Sequence, residues 1–386
     1  MTPKERVLAA LAHREPDRVP TGEFATDYRI IEAVLGRPSF WRAKAKLTKA
    51  LWQGRRDEVV AAQKRDLVDF TLALDLDMVP VQCSPIRGLK PLVPRQLDEN
   101  TWEGECGNVL AYSALTEDIG IVKLGRQSPP YLSAALPEAM DESELELARF
   151  VVERLGKTHF VFARPGRAGM TPGFPTGLGI EQEYLRIADD PEGLRRDLLA
   201  KAERMADAIM PFVELGVDGL AIGQDYGHNG GPFMSPRHFR EIYFPAMQRE
   251  CEIIHAAGKP VLYHACGNNR LILEMMIEAG MDCYQAIQPV ERIEEIKALY
   301  GDSLTLWGGV ATSSLASGTP EEIHQQTLFS LQHCAPGGGF ILGSSHSLTI
   351  GTKPENYRSM LETNRRYGAY PISIPEKIAE PNWAMA

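Results

Sequence analysis

An α/β chain closed into a (β/α)8 barrel is the fold class that this sequence predicts, on three observations. From Arg18 to Tyr367, short apolar runs that read as buried strands alternate with longer segments of helical periodicity. Eight such runs can be counted, the number that a closed barrel needs. No Gly-x-Gly-x-x-Gly follows any of them, which counts against a doubly wound dinucleotide-binding sheet, the competing arrangement.

Taken in order, Thr2-Pro3-Lys4-Glu5 reads as a helix start, with Thr2 as N-cap, Pro3 at the first helical position and an acidic first turn. A first strand is expected over Arg18 to Phe24, ending near Glu23 and Asp27, and a second over Leu72 to Val81, carrying Asp75 and Asp77. Residues 1–65 are mostly helical in this reading, and 370–386 form a tail to a single domain. Between Trp102 and Leu124 the pattern alternates about Gly107-Asn108 and reads as a β-hairpin insertion around 101–125. A third strand is expected at Thr158 to Ala163, followed by a long Gly/Pro-rich loop. Strands at 217–223, 261–264, 281–287, 303–308 and 340–343 follow, with helices at 181–215, 236–257, 271–279, 290–300, 320–333 and 354–367.

The 386 residues are 44% hydrophobic and 24% charged, the balance of an ordinary globular protein with a sizeable core. A net charge of -10 argues against nucleic acid or an anionic membrane as the main partner. There is no apolar run of spanning length and no signal core at the start, so a cytoplasmic protein is expected. Its six cysteines are scattered without framework spacing and read as reduced thiols.

A barrel places its active site at the carboxyl ends of its strands. Polar residues expected there are Glu23, Asp75, Arg164 and Arg167, Asp225 with Tyr226 and His228, His264 with Cys266, Gln285, Trp307 and His346. Asp225 is the first candidate for orienting a substrate or acting as base, with Glu23 and Asp75 beside it. Tyr226, His228, Tyr263, Gln285, Trp307 and Arg164 are candidates to line the mouth, and the aromatic ones could equally just pack. At the tip of the Val261-Leu262-Tyr263 strand, His264 and Cys266 sit at i and i+2 and leave together, offering half of a tetrahedral zinc site. The alternative is a core cysteine beside a hydrogen-bonded histidine. Cys334 ends the helix before the last strand, at the opposite end of a barrel, so His346 is the candidate third ligand.

With these residues in view, the chain resembles the uroporphyrinogen decarboxylase superfamily from Thr2 to about Tyr370. The likeness is carried by Thr2-Pro-Lys-Glu-Arg-Val-Leu-Ala-Ala-Leu11, Arg18-Val-Pro20, Met234-Ser-Pro-Arg-His-Phe239 and Tyr263-His-Ala-Cys-Gly267. It continues through Trp307-Gly-Gly309, Gly318-Thr-Pro-Glu-Glu322, Gly337-Gly-Gly-Phe-Ile-Leu342 and Pro354-Glu-Asn356. The resemblance implies a (β/α)8 barrel. The decarboxylases proper carry Arg-Gln-Ala-Gly-Arg near the first strand, where this chain has Gly22-Glu-Phe-Ala-Thr-Asp-Tyr-Arg29, although a family aspartate falls near Asp75. The corrinoid-dependent methyltransferases resemble it at His264-x-Cys266. Their third zinc ligand, a cysteine, falls on Ser345-His346, where this chain has His346.

That departure points away from a thiol acceptor and towards enzymes that take a methyl group from a small donor, a methoxylated aromatic or other methyl ether. The methyl group then passes to the cob(I)alamin of a corrinoid carrier protein, with zinc or an acid assisting the leaving oxygen. The resemblance thus implies zinc, a corrinoid supplied by a partner protein, a small methylated substrate and an option of homodimerisation. The alternatives are a metal-free decarboxylase or a non-catalytic binding subunit.

Overall fold

A computed structural model of the protein describes residues 1–104, 107–125, 139–165, 179–374 and 378–381. Its first helix, Pro3–Leu11, begins where the capping signal places it. The Glu5 amide donates to Thr2 Oγ1 at 3.2 Å and the Thr2 amide donates to Glu5 Oε2 at 2.8 Å. Helices Tyr28–Leu35, Lys44–Trp52 and Arg56–Leu74 follow, before the first regular strand.

Seven parallel strands form the central sheet: Met78–Gln82, Phe160–Arg164, Gly219–Gly223, Val261–His264, Cys283–Ile287, Thr305–Val310 and Phe340–Ser344, adjacent in that order. Helices between successive strands give the expected alternation, and all seven strands end at one edge. Side chains obey the two-residue period of a strand. Met78, Phe160, Phe162, Ala221, Leu262, Cys283, Trp307 and Ile341 form one buried cluster, closed at the bottom by Val7 and Ala10 of the first helix. Their neighbours Val79, Val161, Leu220, Tyr263, Tyr284, Leu306 and Leu342 point the other way, into the larger cluster beneath the helices. The sheet is therefore curled, with an inside and an outside.

The strand expected over Arg18 to Phe24 is not a strand. Residues 18–27 run extended but form only isolated bridges, Thr21 to Leu342 and Thr26 to Leu348. They lie between the two edge strands. Leu342 N donates to Pro20 O at 2.9 Å, Gly22 N donates to Leu342 O at 3.1 Å, and Asp77 N donates to Thr21 O at 2.8 Å. The physical reason lies partly in the traffic there: a Cβ on Gly343 would stand 2.4 Å from Gly22 O and 3.1 Å from Trp307 Nε1. Trp307 Nε1 takes the Gly22 carbonyl as its acceptor at 2.9 Å, diverting it from a ladder.

The second expected strand began too early. Helix Arg56–Leu74 consumes Leu72 and Leu74, Asp75 closes it in the left-handed conformation at φ 54°, and the strand starts at Met78. The expected hairpin at 101–125 is part of a four-stranded antiparallel sheet, Arg95–Gln96, Thr101–Glu103, Val109–Ser113 and Asp118–Lys123. The helix expected over 181–215 is two, Ile180–Asp189 and Pro191–Leu215, because Asp190 caps a new start ahead of Pro191. The one over 236–257 contains a π-helical stretch at Phe239–Tyr243. Among the described residues no helix is long and apolar enough to cross a membrane.

Asp77 ties the segment at 18–27 to the rest. It is wholly buried, pairs with Arg6 Nη1 at 2.9 Å, and accepts from the Thr21 amide at 2.8 Å and the Thr21 hydroxyl at 3.2 Å. Asp77→Ala leaves Arg6 without this partner and the Thr21 amide without an acceptor, so it should cost about 3 kcal/mol or more of stability in urea unfolding. A loss below about 1 kcal/mol would contradict this role.

Candidate metal centre

Strand parity decides where the tip residues go. Leu262 faces the inside and Tyr263 the helices, so His264 returns to the inside at the carboxyl edge. Arg164, two residues beyond Phe162, and Gln285, two beyond Cys283, do the same. Gly223 is required next to them: at φ 154°, a Cβ there would lie 1.9 Å from His264 O.

Cys266 follows in the loop, its Sγ 3.3 Å from His264 Nε2. His346 comes two residues after the Phe340–Ser344 strand, with its ring centroid 5.2 Å from that of His264. One ligand atom from each of His264, Cys266 and His346 lies within 4.8 Å of the others. Tetrahedral zinc, with bonds of about 2.0 Å to nitrogen and 2.3 Å to sulfur, would put N and S roughly 3.5 Å apart. The donor set fits, and the 3.3 Å between Cys266 Sγ and His264 Nε2 matches that spacing.

The surrounding groups fix this cluster. His264 Nδ1 donates to Gln285 Oε1, which leaves Nε2 with its lone pair towards Cys266. The same amide donates through Nε2 to the His346 carbonyl at 2.7 Å, so one side chain sets both histidines. Phe24 stacks on the His264 ring at 4.3 Å with planes 12° apart. Asp225 Oδ1 accepts from the Cys266 amide at 3.0 Å and lies 3.8 Å from His264 Nε2. Below the loop, buried Asn269 donates to Cys266 O at 3.0 Å. Its own amide donates to Glu291 Oε1 at 3.0 Å, and Tyr284 also donates to that oxygen, at 2.9 Å. Burial pushes the Glu291 carboxyl up to about 7.

Burial dominates the protonation states. It pushes His264 down to about 4 and His346 below its usual value, so both imidazoles are neutral at pH 7. It raises the Cys266 thiol well above the ordinary range, and the Asp225 charge adds to this. Two neutral imidazoles are ready to ligate. The thiol would give up its proton as the ion arrives.

The structure brings Asp225, His264, Cys266, Gln285, Arg164 and His346 together at this edge and leaves other candidates out. Asp75 sits before its strand begins, at the opposite edge, exposed and paired with Arg18 at 2.8 Å. Glu23 is buried, and its carboxylate is taken up by the amide and hydroxyl of Ser344; it steadies the chain leading to His346 rather than facing a ligand. Tyr263 points away from the site by parity, and its hydroxyl donates to that of Tyr226 at 3.1 Å; both tyrosines are core residues. Trp307 does face inward, but it is fully buried one layer down against Phe162 and Phe24. His228 is exposed, and its Nδ1 accepts from the Gly230 amide in its own turn. Arg167 lies outside the described residues. Sequence reasoning passed over Phe24, Asn269 and Glu291. Parity and the Gln288-Pro-Val-Glu291 capping pattern were the available signals for Phe24 and Glu291.

A parallel α/β protein with its ionisable side chains gathered at the carboxyl edge of the sheet is the class that this arrangement defines. Within that class, residues 182–367 match the family described as uroporphyrinogen decarboxylase (URO-D). A methylated-thiol--coenzyme M methyltransferase of Methanosarcina mazei is 27% identical over 189 residues, 47% of either chain. The chain thus matches about half the length of that curated relative. A solved structure described as a methyltransferase from Methanosarcina mazei superposes with a TM-score of 0.66 at 18% identity, covering 96% of this chain and 100% of that one, a likeness of fold.

Two outcomes follow. Gln285→Leu should weaken zinc binding about 10- to 100-fold in a competition titration while leaving the fold intact, because His264 loses the group that sets its tautomer. Unchanged affinity would remove Gln285 from the centre. Burial also pushes the Glu23 carboxyl up to about 8. Its folded value lies above its unfolded one, so stability present at pH 4 is lost as pH rises towards 8. Glu23→Gln should therefore gain stability over the native chain between pH 5 and 8.5, on the order of 3 kcal/mol. A pH-independent difference in urea unfolding would refute this.

Proposed function

We propose that this protein is a methyltransferase that takes a methyl group from a small methylated donor and delivers it to the cob(I)alamin of a separate corrinoid protein. The observation that carries the reading is the convergence of His264, Cys266 and His346, with Gln285 behind them, at the edge where a (β/α)8 enzyme keeps its chemistry. The stretch at 18–27, seated between the two edge strands, supports reading the sheet as such a barrel. The methyltransferase relative supports the reaction class.

His264, Cys266 and His346 would hold zinc, and the ion would supply Lewis acidity to the heteroatom that loses its methyl group. The protein's own groups have the other tasks. Asp225 lies beside both His264 Nε2 and the Cys266 amide and is placed to orient the donor or hold its proton. The Asn269–Glu291 clamp keeps the Cys266 loop from shifting. Bond breaking leaves the electron pair on the donor's oxygen or sulfur while the methyl group goes to the acceptor, so no redox partner is needed. Methyl ethers are the first donors to test because His346 stands at the third position. Methylated thiols come next, on the relative's name. Decarboxylation without a metal is weaker on this geometry, since Asp75 stands at the wrong edge.

The test combines metal analysis of the purified protein with a donor screen in which free cob(I)alamin is the acceptor and the cobalt spectrum is followed. Stoichiometric zinc and methylation of cobalt, both reduced at least tenfold in Cys266→Ala, are expected. Protein that takes up no zinc, or transfers no methyl group from any ether or thioether offered, would sink the reading.

A further inference from the structure

Arg164 ends its strand facing inward, and among the described residues burial encloses it without supplying a counter-charge. Its Nη1 is buried with no hydrogen-bond partner, and among the described residues its guanidinium makes no ion pair. Two described cations near this edge share one carboxylate: Arg42 holds Asp27 at 3.0 Å, and Lys44 lies 3.4 Å from it. The one described contact of the Arg164 head is the Phe24 ring, 4.0 Å from its centroid, and that ring also stacks on His264 at 4.3 Å. A buried, unpaired guanidinium is costly unless an anion completes it.

We infer that Arg164 anchors a carboxylate on the small molecule taken at this site, so that the substrate is an organic acid reaching from Arg164 past Phe24 to the His264–Cys266–His346 cluster. A carboxylate matches the planar fork of one guanidinium and balances its single charge. Burial, together with the charge of Arg42, pushes Arg164 down to about 9, a cost that a bound anion would relieve. What the far end of the molecule undergoes rests on the methyl-transfer reading; the anion anchor does not.

The test is calorimetric titration with 4-methoxybenzoate and its neutral isostere 4-methoxybenzamide. The acid should bind the native chain at least tenfold more tightly than the amide. Arg164→Gln should abolish that preference while leaving amide affinity within about twofold, and Arg164→Lys should restore part of it. The native comparison stands even if a variant fails to fold. Equal affinity for acid and amide, no binding of the acid at millimolar concentration, or a preference that survives Arg164→Gln would each overturn the anchor. An intact acid preference with no methyl transfer from 4-methoxybenzoate or any other donor would sink the proposed reaction and leave the anchor standing. Transfer from acid and amide with equal KM would do the reverse.

Discussion

The amide of Gln285 joins two parts of the chain that are far apart in sequence. It accepts from His264 at one end of its reach and donates to the His346 carbonyl at the other. Because a neutral amide can do both at once, it fixes a ring orientation and a loop position with one rotamer. Remove it, and two half-buried imidazoles lose their common reference. The cluster therefore depends on a residue that would not itself touch the ion, carried on the strand beside that of His264.

Strand parity made much of the site legible in the sequence. His264 and Cys266 at i and i+2, and His346 just past the last strand, were placed together by the reasoning that a barrel collects its chemistry at one edge. Parity also exposes what was over-read. Tyr263 immediately precedes His264 in a strand, so both cannot face the same side, and Tyr263 belongs under the helices. Asp75 was misplaced for another reason. The run Leu72 to Leu76 is apolar enough for either a strand or the end of a buried helix, and periodicity over five residues does not separate them. The left-handed turn at Asp75 settled the matter, and a sequence shows no such turn.

The first expected strand shows a different limit. Arg18 to Phe24, expected as a strand, lies beside the sheet without forming one: its backbone groups are shared among Leu342, Asp77 and the Trp307 indole rather than among ladder partners. Such sharing depends on side chains arriving from three distant elements. Glu23 inherits the same ambiguity: a carboxylate at a strand tip reads as catalytic, yet Ser344 has claimed both of its oxygens.

The segment at 18–27 is also fastened from the far end of the chain. Asn364 donates to the Val19 carbonyl at 2.9 Å, Val19 donates to Gly368 O at 2.8 Å, and Tyr370 donates to Asp17 O at 3.2 Å. The closing helix, Pro354–Tyr367, thus acts as a buckle on the strap that brings Phe24 onto the His264 ring and Glu23 onto Ser344. A fusion, tag or cut placed just after Tyr367 would reach the histidines without coming near them in sequence. Tolerance at that end of the chain is a property of the histidine cluster's edge rather than of a free tail.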